Sequence, residues 1–429
     1  MPRPRVPWYM TVVAVGFGLL VLSTFTWLAA AFLVVLPLWY LVSHNLYERI
    51  VGILSEIACA WTFPTFQKYS LVDCFSSGEQ IAFPSQNEKA IVMFNHQSWC
   101  DVPILNAYLF FQDVMSRALW VGWNGLSKFP FAWAGMLRGD VWIPCRWPSD
   151  KPYLDRSIEQ LLSSDMFHLY CFFPEGALKH RNSMAKCHAY CEENGFPKLQ
   201  YLLWPRNRAF VYVVEKMRKN PAAKYVYDYT VAYEGFGEGR APGILDLFTR
   251  HSFTTKVHIH GRKFLLADLP TGEDALAAWI NNLYIEKDQL LKFFWQNGTF
   301  PSNVHDAITV SLPASASELG SRLDVDAPRA SMKVAAAKES SIESSSSSSS
   351  SSSISGSSAS SETQAQVRHR LVAAKAAELS KEAATSWKKA PLHKVDYRHS
   401  RSILYAGLFF CLNGGLLYAA SCLYSLLSA

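Results

Sequence analysis

The spacing of apolar and charged positions divides the chain before any motif is considered. From Val6 to Tyr47 there are 42 consecutive residues without Asp, Glu, Lys or Arg, about twice the ~20 that cross a hydrocarbon core of ~30 Å. The run predicts a membrane anchor over 6–47. It is either a hairpin of two short helices broken near Ser23 to Thr26, or one span followed by an interfacial helix after Pro37. A cleaved signal peptide, with an apolar region of roughly 7–15 residues, fits poorly, so the segment is expected to be retained. A second uncharged run of 28 residues, Ser402 to Ala429, predicts a transmembrane helix over 402–427. Between the two, from about Lys68 to Phe300, short β-branched and aromatic runs alternate with longer helical stretches, the pattern of an α/β domain. Strands are predicted at Ala90 to Phe94, Leu119 to Gly122, Val141 to Cys145, His168 to Phe173, Tyr225 to Tyr233 and Thr255 to His260. Several are apolar on both faces, which predicts a largely covered sheet.

Composition sharpens this picture in three places. An unbroken serine run from Ser344 to Ser353 sits among scattered Ala and charge and cannot bury enough surface to fold, so 311–363 reads as a disordered linker. The next segment, 364–401, is basic. Its Lys388, Lys389, Lys394, Arg398 and Arg401 place that flank of the C-terminal helix in the cytosol by the positive-inside rule. Over all 429 residues the formal charge is only +6 and 18% of residues are charged, against roughly 25% in a soluble domain. Nothing in this balance calls for nucleic acid as a partner, and a lipid bilayer is the expected one. Nine cysteines with no CxxC pair argue against a disulfide scaffold or a zinc ribbon and favour a reducing compartment.

The chemistry begins where the first of these strands ends. Ala90 to Phe94 runs directly into Asn95-His96-Gln97-Ser98-Trp99-Cys100-Asp101, followed by the helix-like Val102 to Phe111. A histidine at a strand-to-helix junction lies at the mouth of the sheet. Asp101, five residues on, can hold the second imidazole nitrogen if the first turn is irregular. Such a pair is a general base with an orienting carboxylate, able to take a proton from an alcohol near neutral pH. Ser98 lacks the Gly-x-Ser-x-Gly surroundings of a nucleophile elbow, which makes a serine hydrolase the weaker interpretation. Three further strand ends carry suggestive residues: Gly139 to Arg146, with an arginine suited to phosphate; Phe173-Pro174-Glu175-Gly176, with Lys179, His180 and Arg181 beyond; and Trp204-Pro205-Arg206.

In this order the blocks resemble the membrane-bound 1-acylglycerol-3-phosphate acyltransferase family of glycerolipid acyltransferases. The resemblance rests on NHxxxxD at Asn95 to Asp101, G-x-x-x-I-x-x-R at Gly139 to Arg146, Phe173-Pro174-Glu175-Gly176, and Pro205 with its apolar approach. It covers roughly Phe83 to Tyr233. Beyond that, Tyr227 to Tyr233 and the stretch from His258 through Glu286-Lys287-Asp288 to Phe300 look like the eukaryotic branch that includes lysocardiolipin and lysophosphatidylinositol acyltransferases. The resemblance implies the glycerolipid acyltransferase fold, a mixed α/β sheet with surrounding helices, with a catalytic domain at 68–240 and the C-terminal part of the acyltransferase region at 241–310. It also implies acyl-CoA as donor substrate, a lysophospholipid as acceptor, and no cofactor or metal. His96 would be the base on the acceptor hydroxyl and Asp101 its orienter. Arg146 would bind the acceptor phosphate, Glu175 and Gly176 would shape the acceptor pocket, Pro205 would line the acyl chain, and Asn95, Gly139 and Pro174 would support the motifs. The class implies an endoplasmic reticulum membrane with the domain facing the cytosol, or else the mitochondrial outer membrane.

One departure matters. Where the family block commonly continues Thr-Arg, or Thr followed by an acidic residue, Glu175-Gly176 is followed here by Ala177-Leu178. Lys179, Arg181 or Lys128 is then expected to supply the missing cation. Two alternatives stand beside acyl transfer: a catalytically silent lipid-binding membrane protein of the same fold, and an acyl-CoA thioesterase using the same base on water.

Overall fold

The computed structural model describes residues 8–70, 73–81, 87–234, 236–243, 256–302 and 393–394. The uncharged N-terminal run forms α1 (Trp8–Val35) and the short α2 (Pro37–Leu41), followed by α3 (His44–Ser70). The expected break near Ser23 to Thr26 is absent, because α1 passes through it unbroken. Thr26 remains helical by donating its hydroxyl to the Leu22 carbonyl at 2.9 Å, the usual way a Thr inside a helix satisfies itself. The break falls at Leu36-Pro37, the position of the second expected arrangement, where proline has no N–H to continue the ladder. Among the described residues, one stretch is long and apolar enough to cross a membrane, Leu22–Leu41, with a mean hydropathy of 1.8. The helix expected at 402–427 lies outside the described residues.

The N-terminal helices pack onto the rest of the chain. Leu28, Ala29 and Phe32 of α1 bury themselves against Tyr47, Val51 and Ala58 of α3 and against Ala134 of α5 (Pro130–Arg138). Alanines in this interface let the helix backbones approach closely. The Tyr47 hydroxyl donates to the Leu137 carbonyl at 2.6 Å, joining α3 to the end of α5.

The α/β region is built on one sheet. Its strands are β1 (Asp73–Gly78), β2 (Lys89–Phe94), β3 (Ala118–Trp123), β4 (Val141–Ile143), β5 (His168–Phe172), β6 (Ala223–Glu234), β7 (Lys256–Leu265) and β8 (His393–Lys394), ordered β4-β3-β5-β2-β6-β7-β1-β8. From β4 to β6 all five are parallel. β7 pairs antiparallel with β6, β1 runs parallel to β7, and β8 is antiparallel to β1. The sheet is therefore mixed, as the family resemblance implies. It is also covered on both faces. Ile91 and Met93 of β2 point into a core shared with α6 (Lys151–Ser163), α8 (Asn207–Met217) and α9 (Glu273–Asn297). Ala90, Val92 and Phe94 point into a second core shared with α4 (Asp101–Phe111). This strand alternation explains why β2, wholly buried, reads as an apolar run without a polar face.

A charged group crosses that apolar layering. Asp228 of β6 accepts from Lys287 of α9 at 2.6 Å and from Arg262 of β7 at 2.7 Å, and Arg262 also meets Glu286 at 3.2 Å. Burial works to raise the Asp228 carboxyl, but the two cations outweigh it and hold the group below its ordinary range.

Candidate active site

The parallel block brings its carboxyl ends to a single edge, the place where α/β sheets present their ligand loops. His96 follows β2, Phe173 to Gly176 follow β5, Arg146 follows β4, and Tyr233 lies near the end of β6. Asn95 ends β2 by continuing its ladder with a side chain: Oδ1 accepts from the Val231 N–H at 2.7 Å and Nδ2 donates to the Val231 carbonyl at 3.0 Å. The Gln97 side chain donates to the same carbonyl at 2.6 Å. The chain then leaves the sheet in an irregular turn, and α4 begins at Asp101.

That turn aims the Asp101 carboxylate backwards. Oδ2 accepts from His96 Nδ1 at 2.9 Å, from the Gln97 N–H at 2.6 Å and from the Ser98 N–H at 2.9 Å. Oδ1 accepts from the Tyr233 hydroxyl at 2.5 Å. A carboxylate only accepts, so Nδ1 of His96 carries a proton, and in the neutral imidazole it is Nε2 that keeps the lone pair. The imidazole stacks on Phe173, with centroids 3.9 Å apart and rings inclined by 15°, and is 18% exposed, whereas the Asp101 side chain is 1% exposed. Ser98 is occupied otherwise, its hydroxyl donating to the Pro242 carbonyl.

Glu175 reaches the same turn from the end of β5. Its Oε1 accepts from the His96 N–H at 3.0 Å and its Oε2 from the Leu203 N–H at 3.3 Å. Both carboxyl oxygens thus bond main chain. Burial pushes its carboxyl up to about 8, against the pull of those two N–H groups. Gly176 has φ +60°, and a Cβ there would lie 2.9 Å from Arg206 Cδ, so both conformation and space call for glycine.

Lys179 also bonds main chain. Its N–H donates to the His96 carbonyl at 3.0 Å, and its ammonium donates to the carbonyls of Tyr201 at 2.9 Å and Gly239 at 2.6 Å. It is a latch between three segments and not a free phosphate ligand. Burial lowers its pKa. Lys128 ends the short 3-10 turn Asn124–Lys128 after β3 and is exposed. It does not line the cleft beside His96. Arg146 is exposed at its strand end, with its N–H donating to Asp150 at 3.0 Å. Gly139, at φ +110°, closes α5 before β4. Pro205 is buried beside Pro174, because the Arg206 N–H donates to the Pro174 carbonyl at 2.7 Å. His180 caps α7 (Arg181–Glu193), exchanging hydrogen bonds with Ser183 at 2.8 and 3.2 Å.

Beside the His96 turn lies a cleft of about 580 Å³ lined by Gln97, Lys179, Arg181, Gln200, Tyr201, Glu238 and Arg240, among others. Tyr233, Tyr201 and Arg240 were given no role by reading the sequence, since each meets the motif only through the sheet or a distant loop; Phe173 was noted as part of its block, but not as the ring that stacks on His96.

Residues 77–234 match the family model described as Acyltransferase, and residues 246–319 the model described as Acyltransferase C-terminus, together more than half of the chain. The chain belongs to the acyltransferase family. Among its relatives the chain is 27% identical over 245 residues to lysophosphatidylinositol acyltransferase 10 of Caenorhabditis elegans. It is 26% identical over 238 residues to lysocardiolipin acyltransferase 1 of Mus musculus. Both alignments cover 54% of this chain and 60% of the relative, so the chain spans about three fifths of the length of these relatives. The crystal structure of the 1-acyl-sn-glycerophosphate acyltransferase from Thermotoga maritima is 16% identical, with a TM-score of 0.33, over 62% of this chain and 95% of that one.

Proposed function

We propose that this acyltransferase moves an acyl group from acyl-CoA to the free glycerol hydroxyl of a lysophospholipid. The observation that carries the reading is the state of His96. With Nδ1 committed to a carboxylate that gathers four donors, Nε2 is the basic nitrogen of the pair. In the proposed reaction Nε2 takes the hydroxyl proton as the oxygen attacks the thioester carbonyl. The tetrahedral intermediate then expels the CoA thiolate, which receives the proton from the imidazolium. Asp101 supports the imidazolium, as an orienting carboxylate does in other base-assisted acyl transfers. The products are a phospholipid and CoA, with no acyl-enzyme and no metal in the scheme. Arg146, exposed at the same edge, is proposed to meet a phosphate of one of the two substrates, and buried Pro205 to stand near the acyl chain. The setting proposed is an endoplasmic reticulum membrane held by Leu22–Leu41, with the catalytic edge toward the cytosolic leaflet.

The test is transfer of labelled oleoyl from oleoyl-CoA to a panel of lysophospholipids by the purified full chain, beside a His96→Ala variant. Label appearing in one acceptor's product and vanishing in the variant is the expected result. Hydrolysis of oleoyl-CoA that ignores every acceptor would instead make the protein a thioesterase, and no reaction from folded protein would make it a silent lipid binder.

A further inference from the structure

We infer that the cleft between α7 and residues 238–241 is a phosphate subsite whose ligands are Arg181 and Arg240. The inference rests on the acyl-transfer reading and names the part of a substrate that this cleft receives. Positions 177 and 178 carry Ala and Leu, which offer no side-chain donor, and Lys179 has turned its ammonium onto the Tyr201 and Gly239 carbonyls. The cations that remain in the cleft are the guanidinium groups of Arg181, at the start of α7, and Arg240, on the loop after β6. Both residues are exposed, and among the described residues neither side chain has an ion-pair partner. The carboxylate in the lining, Glu238, accepts the Tyr201 hydroxyl at 2.5 Å.

Two arginines lining one cleft, neither ion-paired among the described residues, favour an anion beside them even with Glu238 in the same lining, and their planar forks match phosphate oxygens two at a time. The remaining lining includes Gln200, whose exposed amide can donate to the same oxygens. Position decides what such a phosphate is attached to. Gln97 directly follows His96, and the Lys179 main chain holds the His96 carbonyl, so the cleft shares a wall with the base. A phosphate bound there belongs to a reactant. Both reactants carry phosphate, the acceptor in its headgroup and the donor in its CoA moiety. A small acceptor whose hydroxyl must reach His96 is the occupant the short wall favours.

The experiment is steady-state kinetics of the full chain with lysophosphatidic acid and oleoyl-CoA for Arg181→Ala, Arg240→Ala and the double variant. The expected result is an acceptor KM raised about tenfold in each single variant and further in the double, since each removes a charge-assisted hydrogen bond, with the KM for oleoyl-CoA within about twofold of the parent. Arg→Lys at either position should restore part of the loss, because charge returns without the fork. A rise confined to oleoyl-CoA would keep the phosphate subsite but assign it to the donor. A rise in neither would overturn it. Direct binding of lysophosphatidic acid against monoacylglycerol, which lacks the phosphate, reads the subsite without turnover. The parent should prefer the phosphorylated lipid and the double variant should not. An unchanged preference in the double variant overturns the subsite even if the enzyme proves inactive, whereas an inactive parent that keeps the preference overturns only the acyl-transfer reading.

Discussion

Asp101 receives four donors on two oxygens, and its partners separate the contributions to the proposed base. Asp101→Asn presents an amide where His96 and two main-chain N–H groups need acceptors. Turnover should fall by roughly 10²–10⁴, the range of general acid–base assistance, while the far-ultraviolet circular dichroism of the variant stays that of the parent. Tyr233→Phe removes one hydrogen bond to a charged group, worth about 1.5–3 kcal/mol. It should slow turnover by about tenfold or more and alter the pH–rate profile through His96, with acceptor KM unmoved; an unchanged profile would make Tyr233 a packing residue. The His96 and Asp101 pair was legible in sequence because both partners lie within one turn of chain. Tyr233 was not, because 132 residues separate it from Asp101 and only the pairing of β2 with β6 brings them together.

At the scale of elements, two buried carboxylates join parts of the fold with opposite responses to pH. Glu175 ties the end of β5 to the His96 turn, and its folded-state pKa of about 8 lies above the ordinary value of 4.5. A raised value contributes stability that is complete below about 4.5 and is lost as pH rises through about 8. Glu175→Gln should therefore gain stability relative to the parent across that window, measured as the difference in Tm at successive pH values. Asp228, which joins β6, β7 and α9, is lowered, so its contribution is present above the ordinary 3.8 and fades as pH falls below it. Asp228→Asn leaves Lys287 and Arg262 without their carboxylate in the core and should cost about 3–5 kcal/mol, readable by denaturant unfolding. The strands that reading the sequence located are those with continuous apolar runs, such as β2 and β5, while β1, Asp-Cys-Phe-Ser-Ser-Gly, escaped it. Its serines are buried and served by neighbours such as His260, which no apolar pattern records.

For the whole molecule, the informative interface is the one between the anchor and the α/β body. Phe32 is fully buried there against α3 and α5. Phe32→Ala should cost about 3–5 kcal/mol, visible as a lowered Tm of the detergent-solubilised protein. Apolar length alone marked the N-terminal helices, and of the two breaks it allowed, near Ser23 to Thr26 or at Pro37, the chain takes the second. The polar Ser and Thr side chains at the first can bond within a helix, whereas proline's missing donor cannot be replaced.

The Tyr47 bond to Leu137 and the packing of α1 on α5 have a kinetic consequence under the membrane reading proposed here. A body bolted to its anchor, with no loose tether between them, cannot leave the leaflet to look for lipid. Its encounters with acceptor are then collisions in two dimensions, governed by the mole fraction of lysolipid in the bilayer. Diluting the acceptor with inert phospholipid should slow the enzyme at constant bulk concentration. Adding more vesicles of the same composition should leave its rate per molecule unchanged.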